Sequence, residues 1–141
     1  PYGISAGLES EDEYGNIRTE FNIHMNGSAI SEFALDVVPD TVNKIFAKTG
    51  RSRDDIGYFV FHQANKFMLE YLQHKCDLMN YPYWNDVAEY GNTVSSSIPI
   101  AICDMLKLDR PDKLWIMSIG FGVGLSWGGC LINICHVNEN S

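Results

Sequence analysis

The reading turns on Gly57-Tyr58-Phe59-Val60-Phe61-His62-Gln63-Ala64-Asn65-Lys66. Tyr58 to Phe61 are apolar at every position, the pattern of a strand covered on both faces. A helical period starts just beyond it, with Ala64, Phe67, Met68, Tyr71, Leu72, Cys76 and Met79 marking an inner face. His62 therefore stands at the carboxyl end of a strand where a helix begins, which is where sites form in layered α/β proteins. A second junction follows at Glu89-Tyr90-Gly91-Asn92-Thr93, and a third at Ile119-Gly120-Phe121-Gly122-Val123-Gly124. The three turns are expected to converge.

Upstream, residues 1–8 read as a short strand, and Glu9 to Asn16 as a solvated acidic turn. Phe21 to Met25 alternates like a second strand and stops at Asn26-Gly27-Ser28. From Ile30 the period becomes helical, with Phe33, Ala34, Val37, Val38, Val42, Ile45 and Phe46 on one face. The register is kept across Pro39, so one kinked helix is expected there, closed by Gly50.

Downstream, Tyr81-Pro82-Tyr83-Trp84 is a break followed by a short extended piece. Val94, Ile98, Ala101, Ile102, Met105 and Leu106 make a third helix, apolar over much of its girth and so expected to be largely buried. Pro99 falls near its first turns, where it is best tolerated. Leu114–Ile119 and Ser126–Cys135 are the last two strands. The order is thus β-β-α-β-α-(β)-α-β-β, an α/β fold with a mixed sheet of about five strands covered by helices.

Bulk properties narrow the classes. A chain of 141 residues suits one domain with a real core. A net charge of −8 argues against nucleic acid or an anionic membrane as the main partner, since both demand a basic surface. No run approaches the roughly 18 consecutive apolar residues of a membrane span. The chain opens on Pro1-Tyr2-Gly3, without Met or signal peptide, and reads as a piece of a longer protein. Cys76, Cys103, Cys130 and Cys135 lack metal-binding spacing and are expected to be buried, reduced thiols of a cytoplasmic protein. The histidines form no H-x-x-x-H or Cys/His cluster, so no metal site is expected.

Taken singly, each turn has an ordinary structural explanation. His62 can be a strand-end residue, and Gly-Asn-Thr is a common turn or N-cap. The glycine loop is no dinucleotide fingerprint, because a strand follows it rather than a helix.

Together the turns resemble a known family. His62-Gln63-Ala64-Asn65, then Gly91-Asn92-Thr93, then Gly122-Val123-Gly124-Leu125-Ser126-Trp127-Gly128 are similar to the C-terminal half of the β-ketoacyl-(acyl carrier protein) synthase III family, one of the thiolase-like condensing enzymes. His24-Met25-Asn26-Gly27 and Phe33-Ala34 are similar to the family's lead into its first C-terminal helix. The resemblance runs from about residue 2 to residue 135, so residues 1–141 read as a C-terminal domain without the N-terminal half that carries the nucleophilic cysteine.

The resemblance implies a decarboxylative Claisen condensation in fatty acid or related polyketide biosynthesis. A cysteine takes an acyl group from an acyl-CoA, and malonyl-(acyl carrier protein) loses carbon dioxide and attacks it. His62 and Asn92 correspond to the two donors that stabilise the enolate. Asn65 corresponds to the residue supporting the site and the pantetheine arm, and Val123 to the loop residue whose backbone amide holds the acyl carbonyl. The substrates implied are acyl-CoA and malonyl-(acyl carrier protein), with no permanently bound cofactor. The partners implied are the N-terminal half, a second subunit in a homodimer and the carrier protein.

Two positions depart from the family pattern. Val123 interrupts a three-glycine run, and Phe67 stands where a basic residue often meets the carrier protein. The rival readings are a non-catalytic interaction subunit that kept the fold, acyl transfer without decarboxylation, and a hydrolase or hydroxymethylglutaryl-type synthase with a Glu or second Cys as base. Residues 1–141 alone are expected to be inactive.

Overall fold

A computed structural model of the chain describes residues 9–11, 15, 17–19, 27–108, 111–113 and 115–134. The strands expected at residues 1–8 and Phe21–Met25 lie outside these, as do Leu114 and Cys135. Among the described residues a small antiparallel pair joins β1 (Ser10–Glu11), which falls inside the expected acidic turn, to β2 (Ile17–Arg18).

Helix α1 (Gly27–Thr49) runs as one element through Pro39 and buries Ala34, Val38 and Val42. Gly50 ends it at φ +67°, and its N–H reaches Phe46 O at 2.9 Å. That left-handed conformation favours glycine. Strand β3 (Ile56–Phe61) follows, then α2 (Lys66–Lys75), the short α3 (Val87–Tyr90), α4 (Ser97–Leu108), β4 (Trp115–Gly122) and β5 (Ser126–Asn133).

The main sheet has the order β3-β4-β5, with β3 parallel to β4 and β4 antiparallel to β5. It is mixed, as expected, but among the described residues it has three strands rather than about five. Tyr83 adds a single parallel bridge to Phe59 on the free side of β3. The short extended piece is expected after Trp84; the bridge falls instead at Tyr83, inside the expected break.

The twofold period of β3 and β4 sorts their side chains into two layers. Phe59, Phe61, Met117 and Ile119 face α1 and α2, joining Ala34, Val38, Leu69 and Leu72 in the larger core. Val60 and Ile116 face α4 and pack with Ala101 and Met105. The sheet is therefore sandwiched between helices.

Three expectations are corrected. The inner face of α2 is Met68, Leu69, Leu72 and Cys76, while Phe67 is 85% and Tyr71 51% exposed. The apolar stripe was wide enough to be read one residue off, and packing on α1 selected its other edge. Helix α4 is buried along one face only, and Val94, expected on it, is exposed in the 3₁₀ turn that precedes it, as is Leu108 at its last residue. Of the cysteines, Cys76 is buried and its thiol pushed up to about 12 by that burial, whereas Cys103 and Cys130 are exposed.

Candidate active site

His62 is placed by β3. Its backbone N–H donates to Ile119 O at 2.9 Å, extending the parallel pairing with β4 by one residue. The Ala64 N–H then folds back to His62 O at 2.9 Å, so the chain leaves the sheet abruptly. Asn65 caps α2, its Oδ1 accepting from Met68 N–H at 2.9 Å.

The His62 ring is half-buried. Its Nδ1 lies 2.7 Å from Ser97 Oγ, and Phe121 meets it edge-on with ring centroids 5.2 Å apart. Burial lowers the pKa of His62 from its ordinary value. Desolvation, rather than a nearby charge, keeps the imidazole neutral.

Asn92 lies between α3 and the 3₁₀ turn Val94–Ser96. Its Oδ1 accepts the Val94 N–H at 2.9 Å, so the amide NH₂ is the end left over. His62 and Asn92 share this arrangement: one polar atom of each, Nδ1 and Oδ1, is engaged locally, and the other nitrogen is left toward the cavity.

Buried Gln63 ties the first two turns together. Its Nε2 donates to Phe61 O at 2.8 Å, and its Oε1 accepts from Asp86 N–H at 2.8 Å, just ahead of α3. The third turn is the β4–β5 hairpin. Gly124 (φ +90°) and Leu125 (φ +36°) take the left-handed positions, and Val123 does not, so a β-branched residue is accommodated there. Val123 is 60% exposed and does not pack into the core.

The convergence expected from sequence is present. His62, Asn65, Asn92 and Val123 all line one cavity of about 800 Å³, with Ser97 and Phe121 beside them and Ile98, Met68 and Trp127 as apolar wall. Gly27 and Ile30 close it from α1. Despite the acidic surface, His62 is the one titratable side chain among the described lining residues. A cavity walled this way holds a neutral, partly apolar group and presents N–H donors to a developing negative charge.

Sequence reasoning missed Ser97 and Gln63. Ser97 had a readable signal: it lies four and eight residues before Ala101 and Met105, a polar residue on the buried stripe of a helix. Gln63 had none, because its partners are backbone groups fixed by tertiary structure.

A layered α/β unit with its cavity at the carboxyl ends of parallel strands is a thiolase-like half. The family model of the 3-oxoacyl-[acyl-carrier-protein] synthase III C-terminal domain matches residues 46–134. The chain is 37% identical over 130 residues to a β-ketoacyl-[acyl-carrier-protein] synthase III of Clostridium novyi (strain NT), covering 89% of this chain and 40% of that protein. It is 31% identical over 123 residues to the synthase III of Acholeplasma laidlawii (strain PG-8A), covering 87% and 39%. A crystal structure of a 3-oxoacyl-(acyl-carrier-protein) synthase III superposes with a TM-score of 0.85 at 38% identity, over 95% of this chain and 40% of that one. The chain belongs to the synthase III C-terminal family, and it spans about 40% of the length of these relatives.

Proposed function

We propose that residues 1–141 are the C-terminal half of a condensing acyltransferase, which joins an acyl group taken from acyl-CoA to malonyl-(acyl carrier protein). The observation that carries this reading is the pair His62 and Asn92, lining one cavity with His62 Nδ1 held at Ser97 and Asn92 Oδ1 held by the Val94 N–H, so that the other nitrogen of each is left over. Packing alone has no need of two polar side chains so disposed.

In the proposed reaction the carbon–carboxylate bond of the malonyl thioester breaks and carbon dioxide leaves. The electron pair passes into an enolate with its charge on the thioester oxygen. His62 Nε2–H and the Asn92 NH₂ donate to that oxygen. The enolate carbon then attacks the acyl carbonyl on the enzyme's cysteine, and the thiolate departs. The Val123 backbone N–H helps hold the acyl oxygen during that attack, and Asn65 steadies the pantetheine arm. A preorganised donor of this kind is typically worth about 3–4 kcal/mol of barrier.

The nucleophilic cysteine comes from a preceding N-terminal half. The exposed run Ser126–Cys130 on β5 and the exposed side chains of Val94, Leu125 and Trp127 are apolar or glycine-rich surface of the kind such a half would cover. The complete enzyme is proposed to be a cytoplasmic homodimer that holds no permanent cofactor and works with the carrier protein. Phe67 in place of a basic residue moves the carrier's docking charge off this turn of α2.

The test uses the enzyme that contains this chain. Incubation with a panel of acyl-CoAs should leave a thioester on one cysteine outside residues 1–141, read by peptide mass spectrometry, and malonyl-(acyl carrier protein) should then release carbon dioxide. His62→Ala and Asn92→Ala should lose the carbon dioxide and keep the adduct. An enzyme that forms no adduct with any acyl-CoA and releases no carbon dioxide would be a fold-only relative.

A further inference from the structure

We propose that the Ser97 hydroxyl sets the tautomer of His62, holding the ring proton on Nε2, the nitrogen left open toward the cavity.

Ser97 is the first residue of α4 and is 2% exposed, fixed on the same face as Ala101 and Met105. Its Oγ lies 2.7 Å from His62 Nδ1 and 3.3 Å from the Gln63 backbone nitrogen. A hydroxyl has one proton to give and two lone pairs to receive with. The Gln63 N–H can only donate, so it takes a lone pair. The hydroxyl proton then needs an acceptor. Ser97 is 2% exposed, and among the described residues Nδ1 is the acceptor within hydrogen-bond reach of its hydroxyl.

The opposite tautomer fails the same count. With its proton on Nδ1, the ring and the Gln63 amide would both donate into Oγ, and the Ser97 proton would be buried without an acceptor. Phe121 packs edge-on against the ring in this orientation, with centroids 5.2 Å apart. Nδ1 is thus an acceptor and Nε2 the donor. Ser97 is a positioning residue: it acts through His62 from 35 positions along the chain. Its value to the reaction rests on the condensing function proposed above, but the tautomer does not.

The experiment is histidine-selective ¹⁵N NMR on the enzyme containing this chain, with His62→Gln identifying the His62 signals by their loss. The wild type should show a protonated-type shift at Nε2 and an unprotonated-type shift at Nδ1. Ser97→Ala should move both toward averaged values, as two tautomers come into exchange, and Ser97→Thr should restore the wild-type pattern. Decarboxylation should fall about tenfold or more in Ser97→Ala, with acylation of the cysteine unchanged, and recover in Ser97→Thr. A wild-type proton on Nδ1, or a tautomer indifferent to Ser97→Ala, overturns the assignment. Should Ser97→Ala not fold, Ser97→Cys, whose thiol is a weak donor, takes its place and should likewise move both shifts toward averaged values. If Nε2 carries the proton but His62→Gln decarboxylates like wild type, the condensing reading fails and the Ser97 assignment stands.

Discussion

The side-chain carbonyl of Gln63 accepts the backbone N–H of Asp86 at 2.8 Å, clasping the end of β3 to the segment that leads to Asn92. Two turns about thirty residues apart are thereby held in one frame. Gln63 is 2% exposed and the bond is part-buried, so solvent makes good only part of its loss. Gln63→Leu should destabilise the fold by about 1–3 kcal/mol, the cost of leaving the Asp86 N–H without its partner. Gln63→Glu keeps the acceptor but loses the donor to Phe61 O and buries a charge. Its deficit in urea denaturation should shrink as pH falls and the carboxyl regains a proton. A deficit that does not change with pH would show that the donor side of the clasp is unimportant.

Asn92→Asp separates structure from chemistry. A carboxylate at this exposed position can still accept the Val94 N–H. Stability should therefore stay within about 0.5 kcal/mol of wild type. The donor is gone, however, and a negative charge would face the enolate. Decarboxylation by the complete enzyme should fall about 10²–10³-fold or more, compared under single turnover with pre-acylated enzyme.

His62 should make stability depend on pH in one direction. In the unfolded chain the imidazole protonates near its ordinary value of about 6.5. In the fold burial lowers that pKa, so protonation waits for more acid. Between the two values the unfolded state binds more protons, and stability falls as pH drops through that window. Above the ordinary value this group contributes no slope. Denaturation curves at pH 7.5 and at pH 5 should differ less in His62→Gln than in wild type.

Two glycines predict opposite outcomes. A Cβ at Gly57, where the β3–β4 register shifts, would strike the Lys113 carbonyl and come within 2.8 Å of Pro111 Cβ. Backbone cannot yield as a side chain does, so Gly57→Ala should cost about 1–3 kcal/mol. At Gly122 nothing lies within 4 Å of an added Cβ. Gly122→Ala should leave the melting curve within about 0.5 kcal/mol of wild type.

Val123 offers a substrate-side prediction. Its side chain is exposed beside the cavity rather than packed below it. Val123→Gly keeps the backbone N–H and removes the isopropyl group. The preferred acyl-CoA should shift toward bulkier acyl groups by about 10- to 100-fold in relative kcat/KM, the scale that one or two methylene groups command. An unchanged acyl-CoA preference would mean that the side chain points away from the acyl group.

Much of the site was legible in the sequence because its signals are local. A strand with no polar position running into His62, and turn residues at Gly91-Asn92 and Gly122–Gly124, mark junctions without knowledge of neighbours. That Asn65 caps α2 is a finding of the structure. Hydrophobic periodicity also gave α1 through Pro39, since the buried face keeps its register on both sides.

Tertiary structure decided whatever depends on which of two acceptable faces turns inward. Phe67 and Leu69 are both apolar, and only packing on α1 buried Leu69 and left Phe67 outside. It also decided the partners of buried polar groups. Ser97 meets His62, and Gln63 meets Asp86, across 35 and 23 positions of chain. Period and propensity describe a residue's own element. A hydrogen bond between elements depends on how they are docked, and that docking exists only in the folded chain.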